Sequence, residues 1–436
     1  MTLTYRQAVG ALTERGRFGI SLGLERVERL MEEVGHPEHG LRGALVGGTN
    51  GKGSVVAMTV SILRSAGLRV GSMPKPHLVS YRERIAVDGR PLDEDAFAAA
   101  IDRVMPAIDR VAADVGPPTE FEALTAAAIA ELARQGVDLA IVEVGLGGRL
   151  DATNVLDLGV AAITNVQLDH EAILGPTLAA IGGEKAPIIK SGDVAVTGAA
   201  GRGLRPILDR TSALDVPLLR AGSHQPYRAV PRQTGWDGII VDARTPSRRL
   251  DGLRIGLLGR HQADNAAVAL GVIDALAERW GVVVDEAALR RGMATARWPG
   301  RLEVLDGAAV GLHRILLDGA HNPAGATALA RALEDLGVHR PTIVFGAMRT
   351  KKVHAVLRAL APLDPRFVFT SVDDPGAHDP ATLARAWRSV SGAAARTAPD
   401  PVAALALADG DPVVVAGSLY LVGAIRGMLT AGDEES

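Results

Sequence analysis

A chain of 436 residues exceeds one ordinary domain, and two domains are expected. Lys+Arg 47 against Asp+Glu 50 leaves a formal charge of −3, which excludes a general nucleic-acid or anionic-membrane binder, and the absence of cysteine excludes disulfides, thiolate nucleophiles and cysteine-ligated metals. The first residues lack a signal-peptide core and no apolar run is long enough to span a bilayer, so the expected location is cytoplasmic.

In chain order, residues 5–35 read as helical at both ends. The apolar run Ala44, Leu45, Val46 reads as a buried strand, followed by a helix over about 52–66 and a short strand near 69–72. Two prolines at 74 and 76 forbid regular structure in the next loop. A polar hairpin-like piece (85–90) and helices over 93–114 and 119–135 come next. Near-continuous apolar runs at 138–144, 159–164 and 193–197 are what central parallel strands look like. Residues 200–258 read as strand-rich and as the end of the first domain. Helices at 261–279 and 285–293 precede a joint at 297–301. A second series follows, with strands near 313–318, 341–346, 366–370 and 412–417 and helices near 323–336, 351–361, 379–390 and 418–430. Strands alternating with helices imply an α/β fold with a doubly wound parallel sheet and a smaller second α/β domain, divided at 1–296 and 297–436.

The stretch Leu45-Val-Gly-Gly-Thr-Asn-Gly-Lys-Gly-Ser54 joins strand to helix through glycines 47, 48, 51 and 53. Small residues let backbone N–H groups approach phosphate, and a helix N-terminus favours negative charge. Lys52 would reach terminal phosphates and Ser54 could offer a hydroxyl to magnesium. The extra Gly53 departs from the common phosphate-loop spacing, and a glycine-rich turn before lysine is often only a turn.

Other candidates stand at the carboxyl ends of strands, where parallel sheets bind ligands. Glu143 ends the strongest apolar run and is placed to hold magnesium. His170, in Leu168-Asp-His170, reads equally as a metal ligand or a satisfied loop residue. Thr119 and Glu122 have the form of a capping box, with Phe121 between them able to pack on a planar ligand. His261 and Asn265, four apart, could share one helix face. Asp318 and His321 end a later strand, while Asn322 and Pro323 read as a helix cap and first residue.

These pieces together resemble the folylpolyglutamate synthase/dihydrofolate synthase family, within the ATP-dependent Mur-type amide ligases. The match runs through Leu22-Gly-Leu-Glu-Arg26, Gly48–Ser54, Pro76-His-Leu78 and Glu83-Arg-Ile85. It continues in Phe121-Glu122, Glu143-Val-Gly-Leu-Gly-Gly-Arg-Leu-Asp-Ala-Thr-Asn154, Leu168-Asp-His170 and Glu184-Lys-Ala186. Gly259-Arg-His-Gln262 with Asn265, Trp298-Pro-Gly-Arg301 and Asp318-Gly-Ala-His-Asn-Pro323 complete it.

The resemblance implies that ATP phosphorylates a substrate carboxylate and that L-glutamate's amine attacks the acyl phosphate. Thr49, Asn50, Gly51, Lys52, Gly53 and Ser54 would cradle ATP, with Asn265, Arg301, Asp318 and His321 also at the nucleotide. Two Mg2+ sites are implied, with Ser54, Glu143, His170 and a carbamylated Lys185 as ligands, together with a monovalent cation. Lys52, His170, Lys185 and Lys75 would be the catalytic set. Ser21, Leu22, Gly23, Pro76, His77, Thr119, Phe121, Glu122, Leu150, Asp151 and Ala152 would line the site for dihydropteroate or reduced folates. The expected partners are these small molecules alone, on a monomer.

Three positions depart from the family pattern. Lys75 stands where relatives carry a serine that ligates the first magnesium, and an ammonium cannot ligate a metal. Either water replaces the hydroxyl or Lys75 itself neutralises phosphate charge; the second is expected, because a lysine poorly tolerates an adjacent dication. Arg349-Thr-Lys-Lys352 replaces a pattern with acidic residues, and Ser21 replaces a common aspartate. Two other readings therefore stand beside the folate ligase: a Mur-type ligase for another carboxylic or amino acid, and a catalytically silent nucleotide-binding module.

Overall fold

The apolar runs become the middle of parallel sheets because each is buried on both faces. A computed structural model describes residues 3–16 and 23–430. The chain forms two compact units, one of Met1–Val230, Val241–Leu253 and Ala263–Ala296, the other of Pro231–Ile240, Arg254–Gln262 and Arg297–Ser436.

The first unit is built on eight strands: β1 (Gly43–Gly47), β2 (Val70–Met73), β3 (Ala86–Val87), β4 (Arg90–Pro91), β5 (Leu139–Glu143), β6 (Val160–Ile163), β7 (Val194–Thr197) and β8 (Leu218–Arg220). Their order is β4-β3-β2-β5-β1-β6-β7-β8. The expected hairpin-like piece is the antiparallel β3–β4 edge, and the other six strands are parallel. β1 lies between β5 and β6, with Val46 opposite Glu143 and Gly47 opposite Ile163. Whatever follows β1 is thus flanked by whatever follows its two neighbours.

Helices cover both faces, so β1 and β5 carry no exposed residue. On one face Leu45, Met73 and Val142 pack with Phe97, Ile101, Leu124 and Ile129 of the helices Glu94–Asp114 and Glu120–Arg134. On the other, Val144, Ile163 and Ala195 pack with Ile181 and Ile207. Asp93 starts the first of these helices by accepting from the Ala96 N–H at 2.7 Å.

Residues 200–258 prove less uniform than their composition suggests. A helix, Arg205–Leu214, comes first, where a strand-rich stretch was expected; Pro206 sits in its first turn, where proline is tolerated. Beyond β8 come β9 (Arg228–Gly235), β10 (Gly238–Arg244) and β11 (Arg249–Ile255), a three-stranded sheet in the order β11-β10-β9.

The second unit holds β12 (Glu303–Asp306), β13 (Arg314–Leu317), β14 (Thr342–Phe345), β15 (Arg366–Phe369), β16 (Arg396–Thr397) and β17 (Val413–Ala416), ordered β12-β13-β17-β14-β15-β16. The four longer runs fall where expected. β12 and β16 were not legible, because both are short and polar and exist by pairing: β12 is antiparallel to β13, with Val304 opposite Leu316. Much of the chain's scarce aromatic material gathers here. The Phe367 ring lies 4.9 Å from Phe369 and 4.8 Å from Trp387, centroid to centroid, and Phe345 packs edge-on against both phenylalanines.

Phe367→Ala should therefore remove about 3–5 kcal/mol from the second unit, the cost of emptying a packed aromatic site. Hydrogen exchange reads this by unit: faster exchange in β13, β14, β15 and β17, with β1, β5 and β6 unchanged.

Candidate active site

The loop after β1 takes its shape from its neighbours. Asn50 N–H donates to the Asn165 side-chain oxygen at 3.0 Å, and the Asn50 carbonyl accepts from Thr164 Oγ1 at 2.7 Å and Asn165 Nδ2 at 2.9 Å. Asn50 Nδ2 donates to Gln167 Oε1 at 2.6 Å, and Thr49 Oγ1 bonds the Gln167 backbone. All these partners follow β6, the strand beside β1. Space is as tight as the bonding: a Cβ on Gly48 would lie 1.9 Å from Thr164 Oγ1, and one on Gly51 2.2 Å from Asn265 Oδ1. Gly51, with φ +82°, precedes the helix Lys52–Ser65, whose start no side chain caps. Such an end, opened by small residues, receives an anion.

Two ammonium groups converge on one carbonyl of this loop. Lys52 Nζ donates to the Gly48 and Thr49 carbonyls, each at 3.3 Å, and Lys185 Nζ donates to the Gly48 carbonyl at 3.0 Å. Lys185 is 3% exposed. Burial first, then the positive charge of Lys52, lowers its ammonium to about 7, against the pull of Asp169 and Asp151. A lysine lowered this far gives up its proton, and becomes a nucleophilic amine, much more readily than one in solvent. His170 sits half-exposed at φ +50°, heading the short helix Glu171–Leu174, with Nε2 3.9 Å from Asp169 Oδ1.

Around β5 the picture is equally specific. Glu143, buried, accepts from the Lys75 backbone N–H at 3.2 Å. The Lys75 ammonium points elsewhere: it lies 4.0 Å above the Phe121 ring and 3.9 Å from Asp151 Oδ1. It has no hydrogen-bond partner among the described residues, and burial lowers it to about 8. Asp151 spends its oxygens on structure, accepting from Leu146 N–H at 2.8 Å and from Thr153 N–H and Oγ1 at 3.1 and 2.5 Å. It caps the turn Ala152–Val155, with Ala152 buried and Leu150 half-buried beside it.

The expected capping box forms. Thr119 Oγ1 accepts from the Glu122 N–H at 3.2 Å and Glu122 Oε2 from the Thr119 N–H at 2.8 Å, while Arg26 grips the same carboxylate with Nε and Nη2. Glu122 therefore holds the helix that carries Phe121. His77 accepts from Arg84 Nε at 2.9 Å and stacks on Tyr81, and burial followed by the Arg84 charge lowers it to about 4, so it is neutral at pH 7. Pro76 is exposed and Gly23 half-buried; Ser21 and Leu22 lie outside the described residues.

In the second unit Asp318 is an organiser. Its buried carboxylate accepts from Leu302 N–H at 3.0 Å and Ala320 N–H at 2.9 Å; burial raises its pKa, while Arg301 and these bonds oppose the rise. The Arg301 guanidinium packs where a Cβ on Gly319 would stand, and His321 Nδ1 is 2.8 Å from the Gly319 carbonyl. Asn322 caps the helix Pro323–Asp335, as its sequence implies. His261 lies immediately before the helix Gln262–Trp280 that carries Asn265. Its ring lies so close to Gly259 that a Cβ there would stand 2.7 Å from His261 Cε1, and burial with the Arg301 charge lowers the imidazole to about 4.

Sequence reasoning missed Thr164, Asn165 and Gln167. Each is one polar residue in a loop, and their only signal is position: they follow β6, the strand beside the phosphate-loop strand.

Comparison with known proteins gives this arrangement its family. Residues 100–273 match the Mur ligase middle domain, and residues 300–419 the Mur ligase glutamate ligase domain. The dihydrofolate synthase/folylpolyglutamate synthase of Bacillus subtilis is 33% identical over 444 residues, covering 98% of this chain and 99% of the relative. The chain belongs to the folylpolyglutamate synthase/dihydrofolate synthase family. A Haloferax volcanii relative, a probable bifunctional folylpolyglutamate synthase/dihydropteroate synthase, is 36% identical over 97% of this chain, which spans about half (50%) of its length. The solved structure of Mycobacterium tuberculosis folylpolyglutamate synthase complexed with ADP superposes with a TM-score of 0.90, at 31% identity over 98% of both chains. Among the described residues no helix is long and apolar enough to cross a membrane.

Gly51→Ala tests the loop directly. The left-handed φ and the Asn265 contact both oppose a Cβ, so nucleotide affinity should fall at least 100-fold while the melting temperature drops by a few degrees at most. Titration with a fluorescent ATP analogue measures the first, and calorimetric melting the second.

Proposed function

We propose that this chain is an ATP-dependent ligase that adds L-glutamate to dihydropteroate, to folylglutamates, or to both, through an acyl phosphate. The observation that carries the reading is the grip on the Gly48–Ser54 loop, with Lys52 and Lys185 converging on one carbonyl.

A carboxylate is a poor electrophile until one oxygen becomes a good leaving group. Transfer of the γ-phosphoryl group of ATP does this, and the amine of glutamate then displaces phosphate to form the amide. Such chemistry asks the protein mainly for positioning and charge neutralisation. Thr49 to Ser54 supply backbone N–H groups and a helix end for the triphosphate. The Lys52 ammonium, now on its own loop, is within reach of an arriving phosphate. Asn265, which lies against Gly51 of the loop, is the first unit's further side chain for the nucleotide.

Magnesium suits the donors present, since the Ser54 hydroxyl and Glu143 carboxylate are hard oxygen ligands; Lys185, once carbamylated, would add another beside His170. Bound there, Mg2+ would neutralise developing phosphate charge. Lys75 contributes a fixed cation on the side of Phe121 and Asp151, which we assign to the acid substrate. The wording of the substrate class rests on the family. A ligase for another carboxylic acid is the alternative, favoured by that same cation.

ADP release distinguishes them. Purified protein with ATP and glutamate should release ADP only when dihydropteroate or tetrahydrofolate is added. No release with either pterin would overturn the folate reading.

Lys185 gives a pH-dependent prediction. Carbamylation consumes the neutral amine, whose fraction rises as pH passes about 7. Activity in CO2-depleted buffer should fall severalfold, more at pH 6.5 than at 8, and return with bicarbonate. Lys185→Arg should lose at least 100-fold and ignore bicarbonate. Free of CO2, the folded chain loses a proton near 7 that an unfolded lysine keeps to about 10.5. Folding stability should thus rise across that window, and Lys185→Met should flatten the rise.

A further inference from the structure

The turn Pro37–Gly40 plays no part in the chemistry above, yet it gathers three side chains of the metal-ligating kind. It stands between the helix Glu25–Glu33 and β1. The stretch His36-Pro-Glu-His39 brings two imidazoles to one carboxylate oxygen. His36 Nδ1 lies 2.8 Å from Glu38 Oε1, and His39 Nε2 lies 3.5 Å from the same atom. One ligand atom from each of the three residues falls within 4.8 Å of the other two.

Glu38 is the member that points to a ligand. It is only 8% exposed, and its second oxygen, Oε2, is buried with no hydrogen-bond partner among the described residues. Among those residues its ion-pairing groups are the two imidazoles, with no lysine or arginine beside it. A buried carboxylate oxygen without a donor is costly, and a bound cation satisfies it. The backbone holds the three residues in place. His36 takes φ +54°, a left-handed conformation uncommon outside glycine; its N–H donates to the Met31 carbonyl at 2.8 Å, and its carbonyl accepts from the His39 N–H at 3.2 Å. Side chains three apart eclipse in a 3₁₀ turn, and the two rings accordingly stack, 4.6 Å between centroids and 3° between planes. Leu41 N–H donates to the Glu38 carbonyl at 3.1 Å, and the Leu41 side chain joins the core of Leu30 and Leu124, which ties the turn to the first unit.

We propose that His36, Glu38 and His39 bind a transition-metal dication of the zinc class. Two imidazole nitrogens and one carboxylate suit Zn2+ and disfavour Mg2+, which takes oxygen donors. The set therefore differs in kind from the hard oxygens of Ser54 and Glu143. Three protein ligands leave a fourth position to water. A metal lies in the plane of each imidazole it binds, so binding turns the His39 ring out of its stack; with 72% of that side chain exposed, it has room to turn. The carboxylate meets the cation with one oxygen or both, and Oε2 gains a partner. The turn feeds β1 at its start, whereas the nucleotide loop leaves β1 after Gly47. Bound metal thus braces the entry to β1 and stabilises the first unit without touching the reacting groups.

The test is a Zn2+ titration of the full chain by calorimetry, with Mg2+ and ADP present throughout to occupy the nucleotide site. A His36→Asn/His39→Gln variant removes both nitrogens, asparagine being tolerant of the left-handed backbone. The parent should bind one equivalent of Zn2+ that this variant lacks, and Glu38→Gln should bind it about tenfold more weakly or worse. Zn2+ should raise the parent's melting temperature by several degrees more than the double variant's, and added Mg2+ should not. Co2+ in place of Zn2+ should give the parent a visible absorption band that the double variant lacks. ADP release in Mg2+ should be the same for parent and variants. Equal Zn2+ stoichiometry and affinity in parent and double variant, binding by the parent only at millimolar Zn2+, or equal shifts with Mg2+ and Zn2+ would each overturn the proposal. Should the double variant melt early, His39→Gln alone, at an exposed position, decides: its retention of the parent's Co2+ band overturns the site, and loss of the band supports it.

Discussion

The first unit depends on a close fit between a strand end and its neighbour. The loop after β1 presses so tightly on Thr164 and Asn265 that only glycine fits at 48 and 51. It is then pinned by Asn165 and Gln167 from the end of β6. Adjacency of β1 and β6 in a parallel sheet makes this possible, since both strands discharge their loops at the same edge. A backbone held this way is shaped for phosphate before phosphate arrives, so little ordering cost remains at binding.

Charge is the second constraint, and it follows from the first. Lys52 and Lys185 share the Gly48 carbonyl, and after burial the Lys52 charge is what most lowers the preference of Lys185 for its charged form. Lys75 avoids that crowd by lying on the Phe121 face, a position a cation accepts without a carboxylate at hydrogen-bond distance. The Lys75 backbone N–H reaches Glu143, while its ammonium faces Phe121 and Asp151.

Local pattern made the sheets legible. Runs such as 138–144 need only be apolar and the right length, and the capping residues Thr119, Glu122 and Asn322 act within three residues of themselves. What stayed hidden depends on partners distant in sequence. β12 exists because β13 pairs with it, and the Arg26–Glu122 clamp joins residues 96 apart. Gln167 matters because it lies against Thr49 and Asn50, a relation that strand order creates. Lys185 is the limiting case: its residue type suggests surface, and only burial against the Gly48 carbonyl makes its amine unusual.

The two departures in charge differ in physical kind. Lys75 is a single buried cation, so its effect is set by what can approach it at fixed geometry, above Phe121. Arg349, Lys351 and Lys352 instead lie together beside the helix Val353–Leu360, where several charges act jointly. Gly48 and Gly51 stand under tight steric constraint, so the nucleotide loop has little freedom to vary, whereas neither Lys75 nor the 349–352 stretch is confined in that way to one residue type.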